Sequence, residues 1–274
     1  MTYCVALKVG AGMVFASDSR TNAGFDQVST FRKMIVYERP GVRFMVLLSS
    51  GNLSISQSIR EMLQAERLSL DGAEPETIWT TKSMFNAARI LGHTMRRVDD
   101  VDGPTLRSAG IDAGSTMIFG GQIAGETMRL FLVYSTGNFI EATPETCYFQ
   151  IGEAKYGKPV LDRVLLPSTP LADAAKCALI SFDSTLKSNL SVGLPIDLVA
   201  YEANSLRSEG MVCIDEDNPY FAMIRGSWGQ RLREAFDGIE NPNFDSTDAR
   251  YAIKGRTGRH EVLRKIQNPD DRIV

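Results

Sequence analysis

Closely spaced pairs of short β-prone runs, separated by helical segments, restrict the fold of this sequence more than any other feature. The runs Thr2–Leu7 and Met13–Ala16 flank a Gly10-Ala11-Gly12 turn, and a second pair, Lys33–Glu38 and Arg43–Ser49, follows. Apolar runs joined by glycine-containing turns are typical of β-hairpins. Two hairpins in succession predict an antiparallel sheet at the start of the chain.

Helices and strands then alternate in groups. Apolar residues at helical spacing predict one helix near 53–63 and another from about Glu76 to Arg97, with Ile78, Phe85, Ile90 and Leu91 facing inward and a loop over 99–110. Further strands are predicted at 115–119, 128–134, 138–142, 146–151, 195–202, 210–214 and 220–224. Further helices are predicted at 158–165, 171–190 and 227–236, the last with Ser227 as N-cap.

This grouping predicts an α+β fold, because strands and helices are segregated rather than arranged as repeating βαβ units. A four-layer αββα sandwich of two stacked antiparallel sheets covered by helices satisfies the order. We predict one domain over 1–240 and a polar C-terminal extension over 241–274, where apolar periodicity ends.

Composition excludes several classes of protein. The 274 residues are 43% hydrophobic and 23% charged, which is ordinary for a globular protein. Apolar runs such as Phe44–Leu48 are far shorter than the roughly 20 residues of a transmembrane helix. A net charge of −3 argues against nucleic-acid binding. We therefore expect no membrane and no nucleic-acid partner.

The cysteines and histidines argue against a metal site. Four scattered cysteines form no CxxC pair, and only two histidines are present. No metal or other cofactor is therefore expected. Single cysteines fit a reducing compartment, and the N-terminus does not resemble a signal peptide, so we expect a cytoplasmic protein.

Met1-Thr2 is the first feature that points to chemistry. Removal of the initiator Met would expose a Thr with both a hydroxyl and a free α-amine. The hydroxyl is a nucleophile, and the amine, with a reference pKa of about 7.7–8.0, accepts its proton at neutral pH. Many proteins begin with Met-Thr for no catalytic reason, so this signal alone is weak.

Asp18 and Lys33 strengthen the interpretation. Asp18 ends the second predicted strand and Lys33 opens the third, so an antiparallel sheet can bring both to the end of the sheet that holds Thr2. A lysine beside Thr2 lowers the pKa of its hydroxyl, and an aspartate keeps that lysine charged. The alternative is an ordinary surface ion pair.

The opening TYCVALKVGAGMVFASDSRTNAG and the following STFRKM resemble the proteasome-type N-terminal-nucleophile hydrolases, and among them the bacterial Anbu (ancestral β-subunit) family. Thr2, Asp18, Arg20 and Lys33 match that family's pattern. The resemblance covers about 2–236. It implies a four-layer fold, peptidase activity and self-assembly into a large ring or helical homo-oligomer.

The resemblance also implies further site residues. Gly51 matches the glycine whose backbone N–H forms the oxyanion hole, at a strand-to-helix junction suited to negative charge. Asn22 matches a position that binds extended substrate, and Leu53 matches a wall of the specificity pocket.

Two departures from the proteasome pattern lie near the expected amine. Glu153 stands where a serine is usual, and Ser188 and Ser191 match an Asp-x-x-Ser pair, so that aspartate is missing. These changes remove parts of the usual proton relay. We hypothesise that Glu153 stabilises a charged amine instead.

A phosphate-binding loop is a competing interpretation of the segment Gly152–Pro159. The spacing fits GxxxxGK, but Pro159 replaces the Ser or Thr that would bind Mg²⁺. Gly157 and Pro159 are better explained as the start of a helix.

The sequence therefore predicts a threonine-type peptidase that works in a self-compartmentalised homo-oligomer on peptide or protein substrates. Thr2 would attack the carbonyl, and Arg20, Glu153, Ser188 and Ser191 would support it. Because Thr2 follows Met1 directly, no propeptide cleavage is expected. Two alternatives stay open, namely a structural or peptide-binding subunit without turnover and an amide acyl transferase.

Overall fold

A computed structural model describes residues 2–22, 28–69, 72, 74–208 and 210–242. The strands are β1 Tyr3–Val9, β2 Gly12–Asp18, β3 Arg20–Asn22, β4 Val28–Thr30, β5 Met34–Arg39, β6 Arg43–Gly51, β7 Ser115–Ile123, β8 Arg129–Val133, β9 Phe139–Glu141, β10 Tyr148–Gly152, β11 Ile196–Glu202 and β12 Gly210–Ile214. The helices are α1 Leu53–Ala65, α2 Met84–Ser108, α3 Lys158–Val164, α4 Leu171–Ser188 and α5 Pro219–Asp237.

Most of these strands form two antiparallel five-stranded sheets. Sheet I has the order β10-β1-β2-β11-β12 and sheet II the order β5-β6-β7-β8-β9. The short strands β3 and β4 pair with each other beside them. The predicted hairpins β1–β2 and β5–β6 are both present, each in its own sheet. The first hairpin and the second therefore belong to different layers.

Three hydrophobic cores show that the layers stack as an αββα sandwich, as predicted. One core lies between sheet I and α3, α4 and α5, and another between sheet II and α1 and α2. The third lies between the two sheets, where the rings of Phe44 and Tyr201 stack with their centroids 4.3 Å apart. Each sheet therefore buries both faces, which explains why β1 and β2 are almost continuously apolar.

Helix α2 differs from its prediction at both ends. It begins at Met84, after the cap residue Ser83, and continues to Ser108 through the segment predicted as a loop. Pro104 lies inside it and is exposed, and a proline removes only one helical hydrogen bond. Beyond Pro104, Leu106 packs against the core of sheet II and Arg107 pairs with Asp99 at 2.7 Å. Of the residues predicted to face inward, Phe85 is 42% exposed, whereas Ile78 and the other two are buried.

The segment 220–224 was wrongly predicted as a strand. It belongs to α5, which starts well before the predicted cap residue Ser227. The side chain of Asn218 accepts a hydrogen bond from Phe221 N at 3.0 Å, so Asn218-Pro219 is the start signal that sequence reasoning missed. Phe221, Ile224 and Trp228 then follow at helical spacing.

The chain divides into two compact units, 1–228 and 229–274. Strands β1–β12 and helices α1–α4 belong to the first unit. In the second unit the structure describes the end of α5 and the residues up to 242, including a hydrogen bond from Gln230 Nε2 to Glu234 Oε1 at 2.7 Å. The predicted polar extension over 241–274 lies outside the described residues except for its first two positions, so its boundary stays a prediction.

Helix α2 crosses the β8–β9 turn through a glycine pair. A Cβ added to Gly92 would lie 2.1 Å from Gly137 O, so only glycine fits there. We expect Gly92→Ala to lower the free energy of unfolding by about 1–3 kcal/mol because of this overpacking. Urea unfolding of the purified variant measures the change.

Gly226 in α5 is the matched control, because a Cβ added there meets nothing within 4 Å. Gly226→Ala should raise the free energy of unfolding by up to about 1 kcal/mol through helix propensity alone. Equal stability of the two variants would contradict the close packing of α2 on the turn.

Candidate active site

A single carboxylate oxygen organises the end of sheet I. Asp18, the last residue of β2, is fully buried, and its Oδ1 accepts hydrogen bonds from Lys33 Nζ at 2.7 Å and Tyr3 N at 2.9 Å. Lys33 Nζ also donates to Arg20 O at 2.6 Å. Since Tyr3 follows Thr2 directly, Asp18 fixes both the start of β1 and the ammonium group of Lys33.

Burial and the neighbouring groups have opposite effects on the pKa of Asp18. Burial raises the pKa of Asp18 above its ordinary value, and the Lys33 ammonium and the backbone N–H of Tyr3 offset only part of this rise. Burial also raises the pKa of the neighbouring Cys4 thiol, which keeps that thiol neutral. The charges at this end of the sheet therefore belong to Asp18 and Lys33 and not to the cysteine.

Thr2 is held by the end of β10. Its carbonyl oxygen accepts a hydrogen bond from Glu153 N at 2.7 Å, just beyond the pair formed by Tyr3 and Gly152. Gly152 has φ +81°, and a Cβ added there would lie 2.0 Å from Thr2 O. A glycine is therefore needed for β10 to approach Thr2 this closely.

Gly51 lies at the junction between β6 and α1. It has φ +114°, and an added Cβ would lie 2.2 Å from Gly114 O. The next residue, Asn52, caps α1 by accepting hydrogen bonds from Ser54 N at 3.0 Å and Ile55 N at 3.3 Å. The positive end of the α1 dipole therefore follows Gly51 directly, as an oxyanion site requires.

The side chain of Asn52 also ties this junction to the segment before β7. Its Nδ2 donates to Asp112 O at 2.9 Å, and its backbone N donates to Gly114 O at 2.9 Å. The side chain of Asn52 thus bonds both to the start of α1 and to the segment before β7. These bonds hold the adjacent backbone of Gly51 in its left-handed conformation. Sequence reasoning singled out Gly51 but not the asparagine that holds it.

Glu153 belongs to a chain of polar side chains near Thr2. Its Oε2 accepts a hydrogen bond from Asn189 Nδ2 at 2.9 Å, and Asn189 Oδ1 accepts from Ser191 Oγ at 2.6 Å and Ser191 N at 2.9 Å. Ser188, which was matched to the family pattern, is exposed at the end of α4. Asn189, which sequence reasoning missed, makes the connection to Glu153. The predicted helix 171–190 included Asn189, whereas α4 ends at Ser188 and Asn189 is its C-cap, so the wrong helix end concealed this residue.

Arg20 fixes the loop that carries Asn189. Its Nη1 donates to Leu190 O at 3.1 Å, and its guanidinium covers Gly193, where an added Cβ would lie 2.1 Å from Arg20 Nε. The loop over 189–193 is therefore attached to β3 through Arg20.

The two predicted substrate-binding residues belong to β3 and α1. Asn22 is in β3, opposite Val28 of β4. Leu53 is the first residue of α1 and is 37% exposed. Two turns further along α1, Arg60 donates to Arg32 O at 2.9 Å and lies over the ring of Phe31. Leu53 is therefore open to solvent next to Gly51, where a wall of a specificity pocket is expected.

The segment 152–159 is packed against β1. A Cβ added to Gly157 would lie 2.4 Å from the hydroxyl of Tyr3, and Gly157 directly precedes α3. The glycines therefore serve close packing and a helix start, as the sequence suggested, and Tyr3 occupies the space beside Gly157.

Solved structures of known proteins resemble this chain over most of its length. Anbu (ancestral beta-subunit) from Yersinia bercovieri is 49% identical, with 88% of this chain and 99% of that chain covered and a TM-score of 0.79. The chain belongs to the Anbu family. The family is related to the proteasome, so the resemblance stated from the sequence and the fold expected with it are confirmed.

Two other Anbu structures also resemble this chain over most of its length. The Anbu (Gly-1) mutant from Hyphomicrobium sp. strain MC1 is 44% identical, with 89% of this chain and 100% of that chain covered and a TM-score of 0.81. The helical assembly of the Anbu complex from Pseudomonas aeruginosa is also 44% identical, with 88% and 98% covered and a TM-score of 0.79. Protein-family models and curated proteins give no match.

Two further searches concern only the described part of the chain. Its helices include none with the length and apolar character needed to cross a membrane. It also contains no group of three or more His, Cys, Asp or Glu side chains placed to hold a metal ion.

The buried pair of Asp18 and Lys33 predicts a large effect of neutralising one partner. Lys33 is only 7% exposed, so Asp18→Asn leaves a buried cation unpaired. We expect the free energy of unfolding to fall by about 3–5 kcal/mol in urea unfolding experiments.

Asp173→Asn is the matched control, because Asp173 and Lys176 form a pair at 2.6 Å whose side chains are about half exposed. Its unfolding midpoint should equal that of the unmodified protein. An equally small effect of Asp18→Asn would contradict the structural importance of the buried pair.

Proposed function

We propose that this Anbu protein is an N-terminal threonine amidohydrolase that cleaves peptide bonds after removal of Met1. The observation that carries the proposal is the double hydrogen bond at Asp18 Oδ1, which joins the residue after Thr2 to the ammonium group of Lys33. This contact supports the assignment of Thr2 as nucleophile, Lys33 as the neighbouring cation and Asp18 as its anchor at one end of sheet I.

The proposed reaction proceeds through an acyl-ester intermediate. Thr2 Oγ attacks the peptide carbonyl while the neutral α-amine of Thr2 accepts the hydroxyl proton. Lys33 stabilises the developing alkoxide, and Gly51 N–H binds the oxyanion. The protonated amine then gives its proton to the leaving amine of the substrate. Water, deprotonated by the same α-amine, hydrolyses the ester and restores Thr2, so the scheme uses no cofactor.

We further propose that the protein acts as a homo-oligomer. The Pseudomonas aeruginosa relative, at 44% identity, forms a helical assembly. Both chains share the same fold over 88% of this one, so equivalent surfaces are available for self-association. A large assembly of this kind would restrict access to the active sites to extended peptides.

A binding role without turnover is the second candidate. Glu153 in place of the usual serine, bonded to Asn189, gives the surroundings of Thr2 a composition unlike that expected for an efficient peptidase. Such a protein would hold peptides beside Thr2 and would not form an acyl ester.

The decisive measurement is the intact mass of the protein after incubation with a peptide epoxyketone, a reagent that needs a hydroxyl and a free amine on one residue. We expect loss of Met1 and one adduct per chain. Thr2→Ala should lose the adduct, whereas Thr127→Ala, at an exposed threonine in the β7–β8 turn, should keep it.

Retention of Met1 would refute the mechanism, because no free amine would then exist on Thr2. Loss of Met1 without an adduct, for epoxyketones of several side-chain types, would favour the binding role.

A further inference from the structure

Glu153 is a buried carboxylate whose partners are neutral. It is 8% exposed, and its two oxygens accept hydrogen bonds from Asn189 Nδ2 at 2.9 Å and Lys155 N at 3.4 Å. Among the residues that the structure describes, no Lys, Arg or His side chain forms a salt bridge with it. Burial of an ionised carboxylate without a cation is costly, so this site calls for a positive group.

The backbone places Glu153 against the residue that can supply this charge. Glu153 N donates to Thr2 O at 2.7 Å, at the end of the β1–β10 pair. While Met1 is attached, the nitrogen of Thr2 is a neutral peptide group. Removal of Met1 converts it into an α-ammonium group on the residue whose carbonyl is bonded to the backbone of Glu153.

The orientation of Glu153 is set by Asn189. Ser191 donates to Asn189 Oδ1 through both its hydroxyl and its backbone N–H, so the amide of Asn189 must direct its NH₂ group towards Glu153. The loop that carries both residues is fixed by the hydrogen bond from Arg20 to Leu190 O. Asn189 is therefore a rigid donor for Glu153.

We propose that Glu153 is the counterion of the Thr2 ammonium group and that Asn189 is the positioning residue that holds Glu153 in place. The inference rests on the proposed function to the extent that both need Met1 removed and the Thr2 amine free. It adds a group that sets the pKa of that amine. The Thr2 hydroxyl, Lys33 and Gly51 do not have this role in the proposed reaction.

The direction of this control follows from the charges around Thr2. Glu153 and Asp18 are the nearby anions, and Lys33 and Arg20 are the nearby cations. Lys33 is neutralised by Asp18 at 2.7 Å, whereas Glu153 has no such partner among the described residues. Glu153 therefore raises the pKa of the Thr2 amine. The ammonium must lose its proton to solvent before it can accept the hydroxyl proton, so acylation becomes faster as the pH rises.

The test combines two titrations of the full-length protein. The first follows the rate of epoxyketone labelling against pH, and the second follows the NMR signal of the ¹⁵N-labelled Thr2 amine without any reagent. Glu153→Gln should lower both midpoints by about one pH unit, which is tenfold faster labelling below the midpoint. Asn189→Ala should lower both midpoints by a smaller amount.

Asn86→Ala is the matched control, because Asn86 Nδ2 donates to Glu76 Oε2 at 3.4 Å, next to the start of α2, and neither residue contacts Thr2 or Glu153. It should leave both midpoints unchanged. Glu153→Ser provides a second neutral variant if Glu153→Gln does not fold.

An unchanged NMR midpoint in the Glu153 variants would overturn the proposal. A shift in Glu153→Gln without any shift in Asn189→Ala would overturn the role of Asn189. The expected NMR shifts in a protein that forms no adduct would support the counterion role and refute the peptidase function. The experiment therefore distinguishes failure of the counterion role from failure of the peptidase function.

Discussion

The buried ion pair between Asp18 and Lys33 connects the two sheets of this protein at the end where Thr2 lies. Asp18 closes β2 of sheet I, and Lys33 directly precedes β5 of sheet II. Because the same carboxylate oxygen accepts Tyr3 N, the position of the N-terminal strand and the position of the ammonium group are set by one atom. The sandwich must therefore be assembled before Lys33 and the start of β1 can meet at Asp18, where the proposed nucleophile lies.

Other features of the site also depend on how the two sheets pack together. Gly51 lets the end of β6 approach the segment before β7, and Gly152 lets the end of β10 approach the start of β1. A side chain at either position would prevent this approach. The loop over 189–193 closes the remaining side and carries Asn189 to Glu153. Thr2 is therefore surrounded by elements that are distant in sequence, and each one is fixed by a backbone hydrogen bond or a buried polar contact.

Glu153 stands where the resemblance to proteasome subunits leads us to expect a serine. A serine would offer a neutral hydroxyl near the amine of Thr2, whereas Glu153 brings a charge that must be balanced. Asn189 supplies a hydrogen bond to that charge but no positive counterpart. In the proposed counterion role, the chemistry of Thr2 is coupled to this buried carboxylate, and removal of Met1 supplies the positive group that compensates it.

Local patterns predicted elements well where one signal dominated. The hairpins around Gly10-Ala11-Gly12 and before Arg43 were predicted because turn chemistry and apolar runs agree there. The end of helix α2 was missed because 99–110 was predicted as a loop, whereas Leu106 packs against the core and Arg107 pairs with Asp99 across this segment. The start of α5 was missed because Asn218-Pro219 was not weighed against the β-prone residues that follow it.

The sequence by itself determined the grouping of strands and helices, the nucleophile candidate at Thr2 and the spacing of Asp18, Arg20 and Lys33, because all of these are local or follow from family resemblance. Only the tertiary structure decided that Asn189 rather than Ser188 meets Glu153, and that Asn52 holds Gly51. These two contacts join residues 36 and 60 positions apart, so their partners depend on how the two sheets and their loops pack.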